Sequence, residues 1–156
     1  MQQRTTANSR ELEYPPVRYA WYVVSLLTLT YTISFIDRQI MSLMIEPIRH
    51  DLAISDTQVS LLIGLAFAIF YTLLGVPIGR LADQHSRRGI IAAGIVVWCL
   101  MTAACGLARN YVQLFLTRVG VGVGEAALSP SALSMITDYF PKETRVSAIA
   151  VYNMGI

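Results

Sequence analysis

The sequence predicts an all-α multi-pass membrane protein, and three observations carry that expectation. Hydrophobic residues make up 54% of the 156 positions and charged ones only 14%, whereas about a quarter of a soluble domain is charged. The apolar residues gather into four long runs and a fifth short one, and a helix needs about 20 such residues to cross a bilayer. Lys and Arg collect at alternate ends of these runs, the pattern of a chain whose cytosolic loops hold the positive charge.

Taken in order, residues 1–18 read as a cytosolic polar tail closed by Pro15 and Pro16, and 19–156 as a transmembrane bundle. The expected spans cover about 19–44, 59–78, 90–108 and 111–136. The first is too long for a signal-peptide core and no A-x-A site follows it, so it reads as a retained span. A truncated fifth opens from about Val146 and reaches Ile156. Its length of about 16 Å falls short of a hydrocarbon core about 30 Å thick. Nothing polar or helix-stopping closes it, so the expectation is a chain that stops inside a helix.

Orientation follows from the basic residues. With the N-terminus in the cytosol, the inner segments hold Arg4, Arg10, Arg18, Arg80, Arg87, Arg88, Lys142 and Arg145. The outer loops hold only Arg49 and Arg109, and Arg38 and Arg118 fall within spans. Glu46, Asp51 and Asp56 lie in the first outer loop, where acids carry little topological weight. The expected location is the plasma or inner membrane, with the lipid bilayer as the first partner.

Several function classes drop out. A net charge of +2 with scattered bases leaves no footprint for nucleic acid. Cys99 and Cys105 fit neither a zinc nor a redox spacing and read as plain thiols in an apolar run. His50 and His85 lie in opposite loops, and no Ser/His/Asp, Cys/His or metal-ligand set can be assembled. No enzyme, cofactor or metal is therefore expected.

Four charges lie where lipid should be: Asp37, Arg38, Arg118 and Glu125. Charge within a span is costly and points to function by default. Helical rise puts Asp37 about 27 Å up the first span from Tyr19, Arg118 about 10 Å inward from Tyr111, and Glu125 about 21 Å inward. Arg118 is thus expected to meet the Asp37–Arg38 pair in the outer half, with Glu125 nearer the middle. Arg118 and Glu125, seven apart, share one helix face but stand too far apart along it to pair. Thr30, Ser34, Asp37 and Arg38 follow the i, i+4, i+7, i+8 spacing of a single face. The plainer reading makes Asp37–Arg118 a permanent packing pair and Glu125 a buried, hydrogen-bonded acid. The functional reading makes a carboxyl here a site that takes up and releases a proton.

Small residues mark expected packing faces. Gly64, Ala68, Thr72, Gly75 and Gly79 recur along the second span, and Gly120 and Gly124 form a GxxxG pair in the fourth. Such residues let helix backbones approach closely in lipid. Pro77 and Pro130 each remove a backbone donor.

Between the second and third spans the chain reads Gly79-Arg80-Leu81-Ala82-Asp83-Gln84-His85-Ser86-Arg87-Arg88. This resembles the cytoplasmic loop signature of the major facilitator superfamily, G-x-L-A-D-[RK]-x-G-R-[RK]. Gln84 and Ser86 depart from it, while Gly79, Asp83, Arg87 and Arg88 keep their places. A second resemblance, to spinster-like members, lies in Phe35-Ile36-Asp37-Arg38-Gln39. It continues in Arg118 to Ala126, then Pro130, Asp138-Tyr139-Phe140-Pro141 and Arg145.

The resemblance implies the N-terminal part, about four and a half helices, of a 6+6 helix bundle. It implies a secondary transporter, proton-coupled, for a small organic or amphiphilic solute, anionic or lysolipid-like among the options. Asp37, Arg38, Arg118 and Glu125 would serve substrate and proton coupling. Gly79, Asp83, Arg87 and Arg88 would form a cytoplasmic gating latch between two halves, the C-terminal half lying outside this chain. The competing expectation is a non-transporting fragment or helix-packing partner, because four and a half spans do not enclose a path between two halves.

Overall fold

A computed structural model describes residues 14–156, apart from the side chains of Ala66, Ala82 and Asp83. The described residues form eight α-helical segments. Helix α1 (Val17–Leu43) is followed by the short α2 (Ile45–Leu52) and α3 (Asp56–Ser60). A π-helical turn, Leu61–Leu65, joins α3 to α4 (Ala66–Gln84). Helices α5 (Arg87–Cys105), α6 (Tyr111–Ala126), α7 (Leu128–Tyr139) and α8 (Lys142–Asn153) complete the chain. Four stretches are long and apolar enough to cross a membrane: Val17–Leu43, Asp56–Leu81, Arg87–Cys105 and Tyr111–Tyr139.

Several boundaries differ from the expected ones for local reasons. The region between the first two spans, expected to be a loop, is largely helical. Ser55 builds a capping box with Gln58 that starts α3 ahead of Val59, satisfying two of the free N–H groups at a helix start. Ala53 ends α2 in the left-handed region at φ 48°, a conformation that costs about 1–2 kcal/mol in a residue with a Cβ. The segment expected as an inner loop is mostly helix as well. Helix α4 continues from the apolar span through Gln84, because Arg, Leu, Ala and Gln are good helix formers. Only His85 and Ser86 separate α4 from α5. Ser86 then caps α5 by accepting from the Gly89 N–H.

The fourth span is not one helix. It is divided at Ala127 into α6 and α7. Pro130 has no N–H for the Ala126 carbonyl, and its ring crowds that carbonyl. The Ala127 N–H turns to Gly124 O at 3.3 Å instead. Helix α8 starts at Lys142, four residues before the expected opening at Val146. Pro141 stands at its N-cap, where a missing N–H removes no helical bond. Arg145 reaches back from α8 to the Thr137 carbonyl at 2.7 Å and the Phe140 carbonyl at 3.3 Å, closing the end of α7.

The α6–α7 rod is the centre of the bundle: 61% of its most apolar window is buried, against 6–22% for the other three spans. Helix α1 contributes an inward stripe at alternating spacings of four and three: Ala20, Val24, Leu27, Ser34 and Met41 are buried, and Tyr31 and Arg38 half-buried. Its lower part packs on Leu128, Ala132, Met135 and Ile136 of α7 and on Ala148 and Tyr152 of α8. Tyr31 stacks on Tyr152 with centroids 4.8 Å apart. A smaller cluster of Met41, Leu62 and Leu114, backed by Ile48 and Leu52, closes the far end beneath α2.

The glycines divide sharply. A Cβ on Gly124 would lie 2.6 Å from the Trp98 nitrogen, and one on Gly94 would lie 2.7 Å from the Gly124 carbonyl oxygen. Gly120 faces Met101 at 2.5 Å. These three make the α5–α6 crossing. Along the second span, by contrast, Gly64 and Gly75 face open space and Gly79 meets only the Pro130 Cβ at 3.6 Å. That stripe packs on nothing at Gly64 or Gly75 among the described residues, contrary to a packing role for all of it.

Gly124→Val should therefore destabilise the bundle by about 3 kcal/mol through overpacking, while Gly75→Val changes stability little. Thermal unfolding in detergent distinguishes the two; equal melting shifts would place the close contact elsewhere.

Candidate functional site: a charge quartet between two helices

The four span charges lie together, two from α1 and two from α6. Glu125 is 2% exposed and Arg118 4%, so both need partners from the protein itself. Arg118 Nη1 stands 3.5 Å from Asp37 Oδ2, the pairing expected from depth. Glu125 meets α1 one turn nearer the N-terminus. Its Oε2 accepts from the Ser34 hydroxyl at 2.6 Å and lies 3.4 Å from Arg38 Nε. Arg38 Nη2 also donates to Ser34 Oγ at 3.2 Å, and its Nε to the Ser34 carbonyl at 3.3 Å.

This second pairing has a simple origin. Helical side chains lean toward the N-terminus of their own helix. Arg38 therefore carries its charge back along α1 to the level of Ser34, where Glu125 faces it. Estimates of depth made at the Cα positions place Arg38 beside Asp37 and miss this. Ser34 is 1% exposed and bridges guanidinium and carboxylate through one hydroxyl. Thr30 leaves the group: its hydroxyl donates to the Leu26 carbonyl at 2.9 Å. Glu125 Oε1 and Arg118 Nε are buried without a hydrogen-bond partner among the described residues.

Phe67 of α4 joins the two pairs. The Arg38 guanidinium lies 5.5 Å from its ring centroid and that of Arg118 5.9 Å, within range for cation–π attraction. Gly122 lets the Phe67 backbone approach: a Cβ there would lie 3.3 Å from the Phe67 carbonyl oxygen. Phe67 had no signal in sequence beyond being one aromatic among many in an apolar run.

The inner end carries the loop residues. Arg87 forms an ion pair with Asp138 of α7. Arg88 Nη2 donates to the Tyr139 hydroxyl at 2.6 Å and lies 5.9 Å from the Tyr19 ring. Both arginines thus hold the start of α5 against α7, and Arg88 also meets α1. Gly79 sits in α4 beside Pro130, and Asp83 lies in the last turn of α4 with its side chain outside the described residues. Asp138 and Tyr139 belong to a sequence motif, but no local pattern reveals that they receive Arg87 and Arg88. Among the described residues no group of three His, Cys, Asp or Glu converges as a metal site.

Comparison with known proteins bears on the family of the chain. The family model described as Major Facilitator Superfamily matches residues 27–156. An "MFS-type efflux pump" of Mycolicibacterium smegmatis is 36% identical over 139 residues, 89% of this chain and 32% of that protein. A "Probable L-galactonate transporter" of Escherichia coli is 30% identical over 128 residues, 82% of this chain and 28% of its own length. A crystal structure of a bacterial homologue of the human lysosomal transporter spinster, inward-facing and unoccupied, superposes with a TM-score of 0.86 at 45% identity. It is matched over 90% of this chain and 29% of its own. The chain thus spans about a third or less of the length of these relatives.

Removing one member of a buried pair strands the other. Arg38→Ala should cost about 3–5 kcal/mol because Glu125 is left uncompensated, and Arg38→Ala with Glu125→Gln should recover much of that loss. Chemical unfolding of the singles and the double mutant measures the coupling; additive losses would show that the two side chains do not interact. The matching family model, the spinster-like superposition and the helical bundle together place this chain in the Major Facilitator Superfamily, a family of membrane transporters rather than enzymes.

Proposed function

We propose that this chain forms part of a proton-coupled secondary transporter for a small organic or amphiphilic solute, with Glu125 as the principal proton-carrying group. The observation that carries the reading is the state of the Glu125 carboxyl. One oxygen is engaged by Ser34 and Arg38, and the other is buried with no partner among the described residues. That free oxygen is where a proton resides when the acid is neutral. Proton loss leaves an anion that draws on Arg38 and Ser34 across the α1–α6 interface. Protonation state and helix spacing are thereby linked, as coupling requires.

Asp37 and Arg118 form the second exchange pair, and the two guanidiniums supply positive charge for an anionic group on the solute. An organic anion is supported by one relative, named "Probable L-galactonate transporter". At the opposite end, Arg87, Arg88 and Asp83 with Gly79 act as the gating latch, Arg87 and Arg88 working through Asp138 and Tyr139. The orientation has the N-terminus in the cytosol and the Arg87–Arg88 end inside, in accord with the positive-inside distribution. The bilayer is a plasma or inner membrane.

In proteoliposomes of a form extended to the length of its relatives, Glu125→Gln should reduce proton-driven uptake by about 100-fold while the protein still folds. Exchange of labelled for unlabelled solute, which needs no net proton movement, should persist. Proton-driven uptake at the unmodified rate in Glu125→Gln would remove this residue from the mechanism.

A further inference from the structure

A cavity of about 340 Å³ lies between α1, α5 and α6, and α2 covers it. Asp37 of α1 and Cys105 of α5 stand on its wall, while Ile48 and Leu52 of α2 form part of the cover. That cover is held lightly. Ile45, Ile48 and Leu52 are half-buried and follow the spacing of one helix face, and the remaining residues of α2 are exposed. A segment that buries so little opens locally at small cost.

The far end of α2 is fixed in a strained conformation. Ala53 stands at φ 48°, where glycine is the usual residue because a Cβ crowds the following carbonyl. Its neighbours hold it there. The Ala53 and Ile54 N–H groups both donate to the Arg49 carbonyl, Ile54 at 3.3 Å, and the Ile54 side chain is buried. Arg49 Nη2 lies 3.1 Å from Asp56 Oδ1. Glu46, 4.0 Å from Arg49, belongs to the same helix; the Asp56 contact crosses Ala53 and ties α2 to α3. Arg49 and Asp56 are both exposed, so this tie is weak and screened by salt. Ala53 is exposed as well, so its strain lies in the backbone rather than in packing.

We propose that α2 is a spring-loaded lid over this cavity, with Ala53 as its hinge and the Arg49–Asp56 ion pair as its latch. Lifting the lid admits water and small solutes from the α2 side to Asp37. When α2 lifts, the ties to Arg49 break and Ala53 returns to ordinary backbone. Its released strain then offsets part of the cost of opening. A plain helix cap would carry the same φ without moving. The two differ in whether residue 53 governs entry to the cavity.

Alkylation of Cys105 by N-ethylmaleimide, read peptide by peptide in the purified chain in detergent, follows the open fraction. Cys99, on the same helix but lining a different groove, is the internal reference. Ala53→Gly should slow Cys105 labelling about tenfold and leave Cys99 unchanged. Ala53→Val, stiffer still in left-handed backbone, should speed it. Arg49→Ala should speed it about threefold, and about 1 M salt should bring the unsubstituted chain to the same rate. Slowing by glycine cannot come from loss of the fold, so it separates a lid from general loosening. A Cys105 rate indifferent to residue 53, a Cys99 rate that changes in parallel, or a Cys105 that stays unlabelled in every variant would each overturn the proposal. Labelling needs neither solute nor proton gradient, so the lid and the transport reading stand or fall separately.

Discussion

An acid at depth in a bilayer has to be met by donors from its own protein, and much of this bundle is arranged around that requirement at Glu125. Water is not available there to solvate a carboxylate, so the interface between α1 and α6 is fixed in register by what Glu125 can reach. Ser34 and Arg38 meet it from one turn of α1. Asp37 and Arg118 then fall opposite one another toward the α2-covered end. The register that serves one pair serves both.

Glycine makes this arrangement sterically possible. Gly94, Gly120 and Gly124 let α5 lie directly against α6, which places the α6 charges in the middle of the bundle rather than at a lipid-facing edge. Gly122, on another face of the same helix, admits the backbone of α4. Helix α6 is thus approached closely from two sides by neighbours, while α1 supplies the polar partners from a third. Below Ala127 the chemistry changes to apolar contacts of α7 with α1 and α8, anchored at the rim by Arg87–Asp138 and Arg88–Tyr139. The break before Pro130 separates a polar crossing from an apolar one.

Much of this could be read from the amino acids, and the limits have physical causes. The spans were legible because lipid imposes a length and a composition. The four charges within spans stood out because so few others interrupt those runs. Asp37 opposite Arg118 followed from helical rise alone. The pairing of Arg38 with Glu125 did not, because a long side chain moves its charge a full turn from its own Cα. The loop at Gly79–Arg88 suggested a turn by its charges, yet its residues are helix formers and α4 runs on through Gln84. The role of Phe67 depends on contacts between α1, α4 and α6, which no local pattern encodes. The small residues of the second span obeyed the same spacing rule as Gly120 and Gly124, but only the latter pair faces a close neighbour.

Phe67 has a consequence for how such a bundle moves. One ring faces two guanidiniums that belong to different helices and to different ion pairs. A tilt of α4 that withdraws the ring weakens its attraction for both cations in the same stroke. Neither pair can then sense α4 independently: one ring ties the surroundings of both to the position of that helix. A helix that carries no charge at this level thus still contributes to the surroundings of those that do.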